Sequence, residues 1–174
     1  MSQSVKIATI LPYKENYTFQ KAQAAAIWVC DFFKYSKFKN TNYIFGNTKG
    51  NDYLTKNYIN ISINNLKSKF SSSTNEYCKN FIKKTKNNDF DIIEIHNRPL
   101  VFNYLKKEVD SKYVLYFHND PLSMNGSKSI SERLKLLDEL DKIIFVSRWV
   151  QNRFFEKLDN KLINKTEVVY PSIH

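Results

Sequence analysis

Short apolar runs alternate with amphipathic segments along the whole chain. The runs that predict strands lie at 6–11, 43–45, 58–63, 91–95, 113–117, 142–146 and 167–170. Apolar residues at three- and four-residue steps predict helices that begin near residue 18 and lie at about 75–86, 99–109, 129–140 and 147–158. This alternation predicts an α/β fold, a Rossmann-like doubly wound parallel sheet with helices on both faces. The nearly continuous apolar runs of the second half are typical of strands buried on both sides.

Several residues mark where helices begin. The apolar face of the first predicted helix is formed by Phe19, Ala22, Ala26, Val29, Cys30 and Phe33. Thr18 precedes this face and is a suitable N-cap. Pro99 suits the first turn of a helix, and Ser129 with Glu132 has the spacing of a capping box. Segment 127–132 can be an ordinary helix start or, through its free N–H groups, a place to hold an anion. Segment 67–74 is Ser-rich and predicts a loop.

The charge of the chain is strongly basic, with 27 Lys and Arg against 17 Asp and Glu and a formal net charge of +10. Such a balance fits nucleic acid, an anionic membrane surface or anionic substrates. The excess is nearly all Lys, and Asn is also abundant, so a bias of amino-acid usage explains it equally well. Nucleic-acid sites usually concentrate Arg, and this chain has four, so nucleic acid is not the predicted partner.

Several classes of protein are disfavoured by what the sequence lacks. No stretch reaches the ~18 apolar residues of a membrane span, and the run 7–11 reads as a strand because it lacks the flanks of a signal peptide. Cys30 and Cys78 are too few and too distant for a disulfide framework or a CxxC metal site, which fits a cytoplasmic location. Motifs GxGxxG, GxxxxGK[ST] and GxSxG are absent, which disfavours dinucleotide dehydrogenases, phosphate-loop NTPases and serine hydrolases.

Polar residues gather at the predicted strand exits, where open α/β sheets bind ligands. They are Tyr13, Lys14 and Glu15 after the first strand, Glu94 within the fourth, His96, Asn97 and Arg98 after it, His118, Asn119 and Asp120 after the fifth, and Ser147 and Arg148 after the sixth. Two matched His-Asn-x-Pro segments, 96–99 and 118–121, are hard to explain as core packing. They are the best candidates for a ligand cleft.

Structural roles are open for the same residues. Either histidine can cap a neighbouring loop, and Asn97 and Asn119 can simply form turns. Glu94 lies in a buried strand, where it can pair with a Lys or Arg. A metal site at His96, His118 and Asp120 lacks tight ligand spacing, so no metal is predicted.

Four segments in order resemble the N-terminal domain of family 4 glycosyltransferases, the retaining two-domain enzymes of the GT-B fold. They are 91–99 (DIIEIHNRP), 115–121 (LYFHNDP), 140–150 (LDKIIFVSRWV) and 168–174 (VVYPSIH). The resemblance spans the chain and is clearest from residue 91 onward. Each motif is weak alone, but their order and spacing together are fairly specific.

The resemblance implies transfer of a sugar from a nucleotide diphosphate sugar to an acceptor hydroxyl, with retention and with no metal or cofactor. His118 matches the family's cleft histidine near the transferred sugar, and Asp120 is the second candidate catalytic residue. The candidate substrate-binding residues are Tyr13, Lys14, Glu15, Glu94, His96, Asn97, Arg98, Asn119, Arg133, Ser147 and Arg148. The expected acceptor is lipopolysaccharide or another bacterial surface glycan, with peripheral contact to the anionic inner membrane.

The resemblance also makes residues 1–174 an acceptor-side domain, with segment 171–174 leading to a donor-binding domain that carries a Glu-x7-Glu motif. This half alone is expected to be inactive. Two departures mark a divergent member: segment 12–20 lacks the family's Gly-Gly, and Ser172-Ile173 replaces its Asn-Gly. A stand-alone sugar- or nucleotide-binding module without catalysis is the alternative, and a basic nucleic-acid-binding domain is a third.

Overall fold

A seven-stranded parallel sheet forms the centre of the protein. The computed structural model describes residues 4–63, 72–86, 88–158 and 160–171. The strands are β1 (Ile7–Ile10), β2 (Asn42–Gly46), β3 (Tyr58–Asn60), β4 (Ile92–His96), β5 (Lys112–Phe117), β6 (Lys142–Phe145) and β7 (Thr166–Val168). Their spatial order is β3-β2-β1-β4-β5-β6-β7, and every neighbouring pair is parallel. The predicted α/β sheet is therefore confirmed.

Helices cover both faces of the sheet, as predicted. They are α1 (Ala24–Tyr35), α2 (Ser73–Thr85), α3 (Pro99–Leu105), α4 (Ile130–Glu139) and α5 (Arg148–Phe155). Buried residues of α2 to α5 pack with Ala8 and Ile10 of β1 in one core cluster, whereas α1 packs with Leu11 and Ile44 in a second. Successive strand residues point to opposite faces, so the two clusters lie on opposite sides of the sheet. Thus α1 covers one face, and the other four helices cover the opposite one.

The start of α1 is the main error in the predicted elements. The helix begins at Ala24, not near Thr18, and Phe19 of its predicted apolar face is 69% exposed. Thr18 lies in a turn and forms an isolated antiparallel bridge with Tyr53. Tyr17 enters the core instead and stacks on Tyr58 at 4.9 Å between ring centroids. Long-range pairing with segment 48–58 thus overrides the helical periodicity of residues 18–22.

The other helix boundaries follow their local signals more closely. The capping box is present, since Ser129 Oγ accepts from the Glu132 N–H at 3.2 Å and the Glu132 carboxylate accepts from the Ser129 N–H at 2.9 Å. This contact makes 127–132 an ordinary helix start. Residues 67–71 of the predicted loop 67–74 lie outside the described part of the chain. The rest of that segment is not all loop, because α2 begins at Ser73. Within the described residues, no helix has the length and apolarity needed to cross a membrane.

Candidate functional site

The α1 face of the sheet carries a row of polar side chains near the carboxyl ends of its central strands. Thr9 of β1 lies opposite Glu94 of β4, and His96 of β4 lies opposite Tyr116 of β5. Because alternate strand residues share a face, Glu94 and His96 lie beside Tyr116 under α1. His118, one residue beyond β5, extends the row to the edge of the cleft.

The two predicted histidines form a direct hydrogen-bonded pair. His96 Nδ1 and His118 Nε2 are 2.8 Å apart. His96 is fully buried, and the Tyr116 ring stacks on it with 4.5 Å between centroids and 8° between planes. The indole of Trp28 packs against both imidazoles, with centroids 5.7 Å from His96 and 5.2 Å from His118. This aromatic enclosure excludes water from much of the pair.

Burial sets the charge of both imidazoles. It lowers the pKa of His118 to about 4. Burial also lowers the pKa of His96 far below its ordinary value, and the nearby His118 adds to this shift. Low polarity around an imidazole disfavours its charged form. Both histidines are therefore neutral at pH 7, and each has one N–H donor and one nitrogen lone pair.

Glu94 is held by hydroxyl groups and not by a cation. Its two carboxylate oxygens accept from Thr9 Oγ1 at 2.8 Å and from the Tyr116 hydroxyl at 3.3 Å. No Lys or Arg pairs with it among the described residues, so the alternative of a structural ion pair is not found. Burial raises its pKa, against the two hydroxyl donors. Glu94 therefore lies under α1 behind the histidine pair, where it holds the Tyr116 ring against His96.

Asn97 joins the two predicted segments through a left-handed backbone position. Its φ is +52°, a region that Asn tolerates better than most residues. Its N–H donates to the Tyr116 carbonyl at 2.8 Å, and its side-chain oxygen accepts from the His118 N–H at 2.7 Å. The next residue, Arg98, donates to the Asn97 carbonyl and lies over the Tyr13 ring at 5.4 Å. The turn after β4 is thus fixed to the chain leaving β5.

Two cavities flank this junction. The first has a volume of about 430 Å³ and a largely apolar wall from α1, with His118 and Asn119 on its opposite side. The second has a volume of about 480 Å³ and a mostly polar wall that includes Arg98 and Lys128. Asn119 lines both cavities, so they meet at the second His-Asn-x-Pro segment. The arrangement offers neutral donors on one side and cationic groups on the other.

The loop around Gly126, next to the second cavity, packs closely against the start of α3. Gly126 has φ +91°, and a Cβ there would lie 3.1 Å from side-chain atoms of Pro99 and Leu100. Ser127 is fully buried, and its hydroxyl donates to the Pro121 carbonyl at 2.6 Å. Only glycine permits this close approach of loop and helix. The loop that supplies Asn125 and Lys128 to the polar cavity is therefore packed against the start of α3.

Two candidate residues are engaged in contacts away from the cavity linings. Asp120 accepts a hydrogen bond from the Leu122 N–H at the start of a short helical turn, and it forms an ion pair with Arg153 at 3.0 Å. Arg133 was expected to face the cleft, but it is buried between α4 and α5, where it donates to the Phe154 carbonyl at 2.9 Å. Its position corrects that expectation, because α4 presents this residue to the face opposite α1. A catalytic role for Asp120 stays a prediction.

The remaining candidates lie at the periphery. Glu15 accepts from the Ala26 N–H at 3.0 Å and so caps α1 across the loop, and burial raises its pKa. Ser147 is the N-cap of α5, with its hydroxyl accepting from Val150. Two basic candidates, Lys14 and Arg148, are exposed. None of these four predicted residues lines either cavity, whereas Tyr13 lines the polar one.

Trp28 and Tyr116 belong to the site but were not predicted. Tyr116 could have been found from strand alternation, because it lies two residues before His118 and shares its face. Trp28 carries no such signal, since its contact with both histidines depends on how α1 crosses the sheet. Among the described residues, no group of three or more His, Cys, Asp and Glu is placed to hold a metal ion.

Comparison with known proteins gives structural likeness without close sequence relatives. No protein-family model matches the sequence, and no curated protein matches it. Among solved structures, the Anabaena protein HepE in complex with UDP-glucose has a TM-score of 0.66 at 12% identity, over 96% of this chain and 44% of that one. A sucrose-phosphate synthase from Thermosynechococcus elongatus has a TM-score of 0.65 at 9% identity, over 95% and 48%.

A third similar structure is the lipopolysaccharide outer core galactosyltransferase WaaB, with a TM-score of 0.65 at 15% identity over 97% of this chain and 46% of that one. The chain therefore spans about half the length of these three proteins. The likeness shows the fold, which is that of one half of a GT-B enzyme. It confirms the predicted Rossmann-like fold of a GT-B half-domain.

Proposed function

We propose that this chain is the acceptor-side, N-terminal half of a retaining glycosyltransferase of family 4, which transfers a sugar from a nucleotide diphosphate sugar to an acceptor hydroxyl. The observation that carries the proposal is the neutral His96–His118 pair at the strand exits, with His118 lining an apolar cavity that meets a cationic one at the neighbouring Asn119. The GT-B half fold supports it, because two similar structures are named as a sucrose-phosphate synthase and a galactosyltransferase.

The two cavities suggest separate binding places for the transferred sugar and for the acceptor. His118 faces the cavity under α1, where its imidazole can donate a hydrogen bond to an oxygen of the transferred sugar. Arg98 and Lys128 line the polar cavity, where they and Asn97 can bind hydroxyls or an anionic group of the acceptor. Asn119 lines both cavities and can contact both substrates. Tyr13 supports this arrangement by carrying the Arg98 guanidinium on its ring.

The described lining supplies donors and cations rather than a free nucleophile. Asp31 is the one carboxylate among the lining residues of the two cavities, and it pairs with Lys34 at 3.5 Å. Glu94 is behind the histidine pair, and Asp120 is bound by Arg153. A double displacement through two carboxylates thus finds little support in this half. Catalysis here consists of positioning and of hydrogen bonds to developing negative charge.

The acceptor and the location are further parts of the proposal. A glycan acceptor in bacterial surface assembly is supported by the likeness to the lipopolysaccharide galactosyltransferase. The net charge of +10 supports peripheral contact of a cytoplasmic enzyme with anionic lipid. The reaction needs no metal or cofactor in this scheme, because cationic side chains can offset the charge of phosphate or acceptor.

The test is a transfer assay with the full-length polypeptide that the gene encodes. It is incubated with radiolabelled nucleotide diphosphate sugars and a panel of glycan and lipid-linked acceptors, and both product and released nucleotide are measured. We expect transfer from one donor, with the anomeric configuration retained in the product's NMR spectrum. The 174-residue chain alone is expected to transfer nothing.

Two results would contradict the proposal. Robust transfer by the 174-residue chain alone would show that the half-enzyme picture is wrong. Sugar binding by the full-length polypeptide without release of nucleotide would instead favour the stand-alone binding module.

A further inference from the structure

The hydrogen bond between the two histidines can be made in two ways. His96 Nδ1–H can donate to a lone pair on His118 Nε2, or His118 Nε2–H can donate to His96 Nδ1. Each arrangement fixes the position of the proton on the other nitrogen of each ring. In the first, His118 carries its proton on Nδ1, and in the second it has a bare Nδ1 lone pair.

The surroundings of His96 distinguish these arrangements. Its Nε2 is buried and has no hydrogen-bond partner within the described part of the chain. If His118 were the donor, His96 would carry its proton on Nε2 as an unpaired buried N–H. If His96 is the donor, Nε2 is only an unpaired lone pair. Orphaned buried N–H groups are rarer than acceptors with too few donors, which favours His96 as the donor.

Trp28 adds a second, independent reason. Its Nε1–H is also buried without a partner among the described residues, and Trp28 and His96 line a common cavity of about 210 Å³ under α1. An indole nitrogen can only donate. With His96 as the donor, the two unpartnered nitrogens beside this cavity are one donor and one acceptor, whereas the other arrangement leaves two unpaired donors there.

The ring of His96 is fixed in the orientation that this bond requires. Tyr116 stacks on one side, nearly parallel to it. The Tyr116 hydroxyl is anchored on Glu94, and Glu94 is anchored on Thr9. The stack on Tyr116 holds the plane of the His96 ring, and a half-turn of the ring about its Cβ–Cγ bond would break the hydrogen bond to His118. The chain Thr9–Glu94–Tyr116 thus preorganises the donor.

We propose that His96 is a positioning residue that holds His118 in the Nδ1–H tautomer, so that His118 presents an N–H donor to the cavity beside α1. His118 then supplies a hydrogen bond to an oxygen acceptor, such as a sugar hydroxyl or a phosphoryl oxygen. It does not accept a proton at pH 7, because its single lone pair is occupied by His96. The tautomer stands on the geometry alone, whereas its use on a bound sugar rests on the proposed function.

Nitrogen-15 NMR of the histidine-labelled protein tests the tautomer directly. The chain has three histidines, so the long-range proton–nitrogen spectrum contains six ring nitrogens, and His174→Gln assigns the third residue. We expect His96 and His118 both to show a protonated Nδ1 and a bare Nε2 at pH 7. A protonated Nε2 on His118 would overturn the proposal, and this readout needs no variant of the pair.

Two variants of His96 separate positioning from packing. His96→Phe keeps a ring against Tyr116 but removes the donor, so His118 should shift toward the Nε2–H form that a free imidazole favours. His96→Asn keeps an N–H donor near the position of Nδ1 and should retain the Nδ1–H form. An unchanged His118 spectrum in His96→Phe would overturn the proposal. If that variant does not fold, the wild-type spectrum decides.

A kinetic comparison in the full-length polypeptide separates this inference from the proposed function. His96→Phe should lower kcat more than it raises KM for the sugar donor, and His96→Asn should restore part of kcat. If the NMR result holds while no variant changes transfer, the tautomer stands and the role in sugar transfer fails. If the Nδ1–H form is absent in the wild type, the positioning role fails whatever the kinetics show.

Discussion

The segments His96–Pro99 and His118–Pro121 share three of four residues but have different structures. In the first, the histidine is fully buried and Asn97 has a left-handed backbone. In the second, the histidine is partly exposed, Asn119 is exposed and Asp120 is ion-paired with Arg153. Both segments end in a proline that begins a helical turn. The same local sequence is therefore enclosed by the protein at one strand exit and open to a cavity at the other.

The two histidines differ in burial because different residues lie beside each strand end. The residue opposite His96 on β5 is Tyr116, whose ring covers the imidazole, while α1 supplies Trp28. His118 lies beyond the end of β5, so one side of its ring is left to the cavity beside α1. A hydrogen bond between the two imidazoles links the buried residue to the one that lines the cavity.

The largest expected effects come from replacing each histidine by alanine and measuring both activity and stability. His118→Ala in the full-length polypeptide should lower kcat/KM by about 10²-fold or more, because it removes a donor aimed at the reacting sugar. Its unfolding free energy should fall by about 1 to 2 kcal/mol, because the buried His96 N–H loses its acceptor. His96→Ala should instead cost about 2 to 4 kcal/mol of stability, because it leaves a cavity in a packed stack.

Transfer kinetics and urea unfolding of both variants measure these quantities. Equal losses of activity and stability in His118→Ala would return His118 to a purely structural role. His96→Ala is also expected to lower activity, but only through His118.

The two asparagines give a matched pair for stability. Asn97→Ala should destabilise the protein by about 2 to 4 kcal/mol, because alanine is strained at positive φ and the buried His118 N–H loses its acceptor. Asn119→Ala should change stability by no more than about 0.5 kcal/mol, since that side chain is exposed. Asn97→Gly, which relieves the strain only, should fall between them in urea titrations. Similar losses for the two alanine variants would show that the segments are equivalent.

The pH dependence of unfolding tests the burial of both histidines, and its expected effects are smaller. Their folded pKa values are lowered, to about 4 for His118, against an ordinary value of 6.5. Protonation then favours the unfolded state, so stability is fully present above pH 6.5 and is lost as the pH falls through the folded values. Glu94, whose pKa is raised by burial, acts in the opposite direction.

Urea midpoints from pH 7 to 4.5 measure this loss. The slope should flatten in both His96→Phe and His118→Gln, because each variant removes an imidazole that is neutral in the folded state and takes up a proton on unfolding. An unchanged slope in both variants would show that the histidines are ordinary solvated groups.

The smallest effect is expected at Asp120, the residue that replaces Arg98 in the second segment. Arg153→Gln should barely change the urea midpoint, because the Asp120–Arg153 pair is partly exposed and screened by solvent and salt. Asp120→Asn should be equally mild for stability, so its activity reports on catalysis alone. Transfer that falls at least tenfold in Asp120→Asn, and not in Arg153→Gln, would support the predicted catalytic role. Equal transfer in both would remove it.

The sequence alone determined the α/β sheet, the capping box at Ser129 and Glu132, and the two His-Asn-x-Pro segments at strand exits. These features depend on signals within a few residues: apolar runs that only a doubly covered strand can bury, and side chains that satisfy free N–H groups of the first turn. The same signals failed at Thr18 and Phe19, where pairing with segment 48–58 competes with the helix.

Only the tertiary structure decided which polar residues meet. Arg133 lies between α4 and α5, where it donates to the Phe154 carbonyl. Trp28 and Tyr116 pack against the histidine pair. Such contacts depend on strand register and on the path of α1 across the sheet, and neither leaves a trace in the local pattern. The distinct roles proposed for His96 and His118 rest on their different burial, which is a property of the assembled sheet and not of the tetrapeptide.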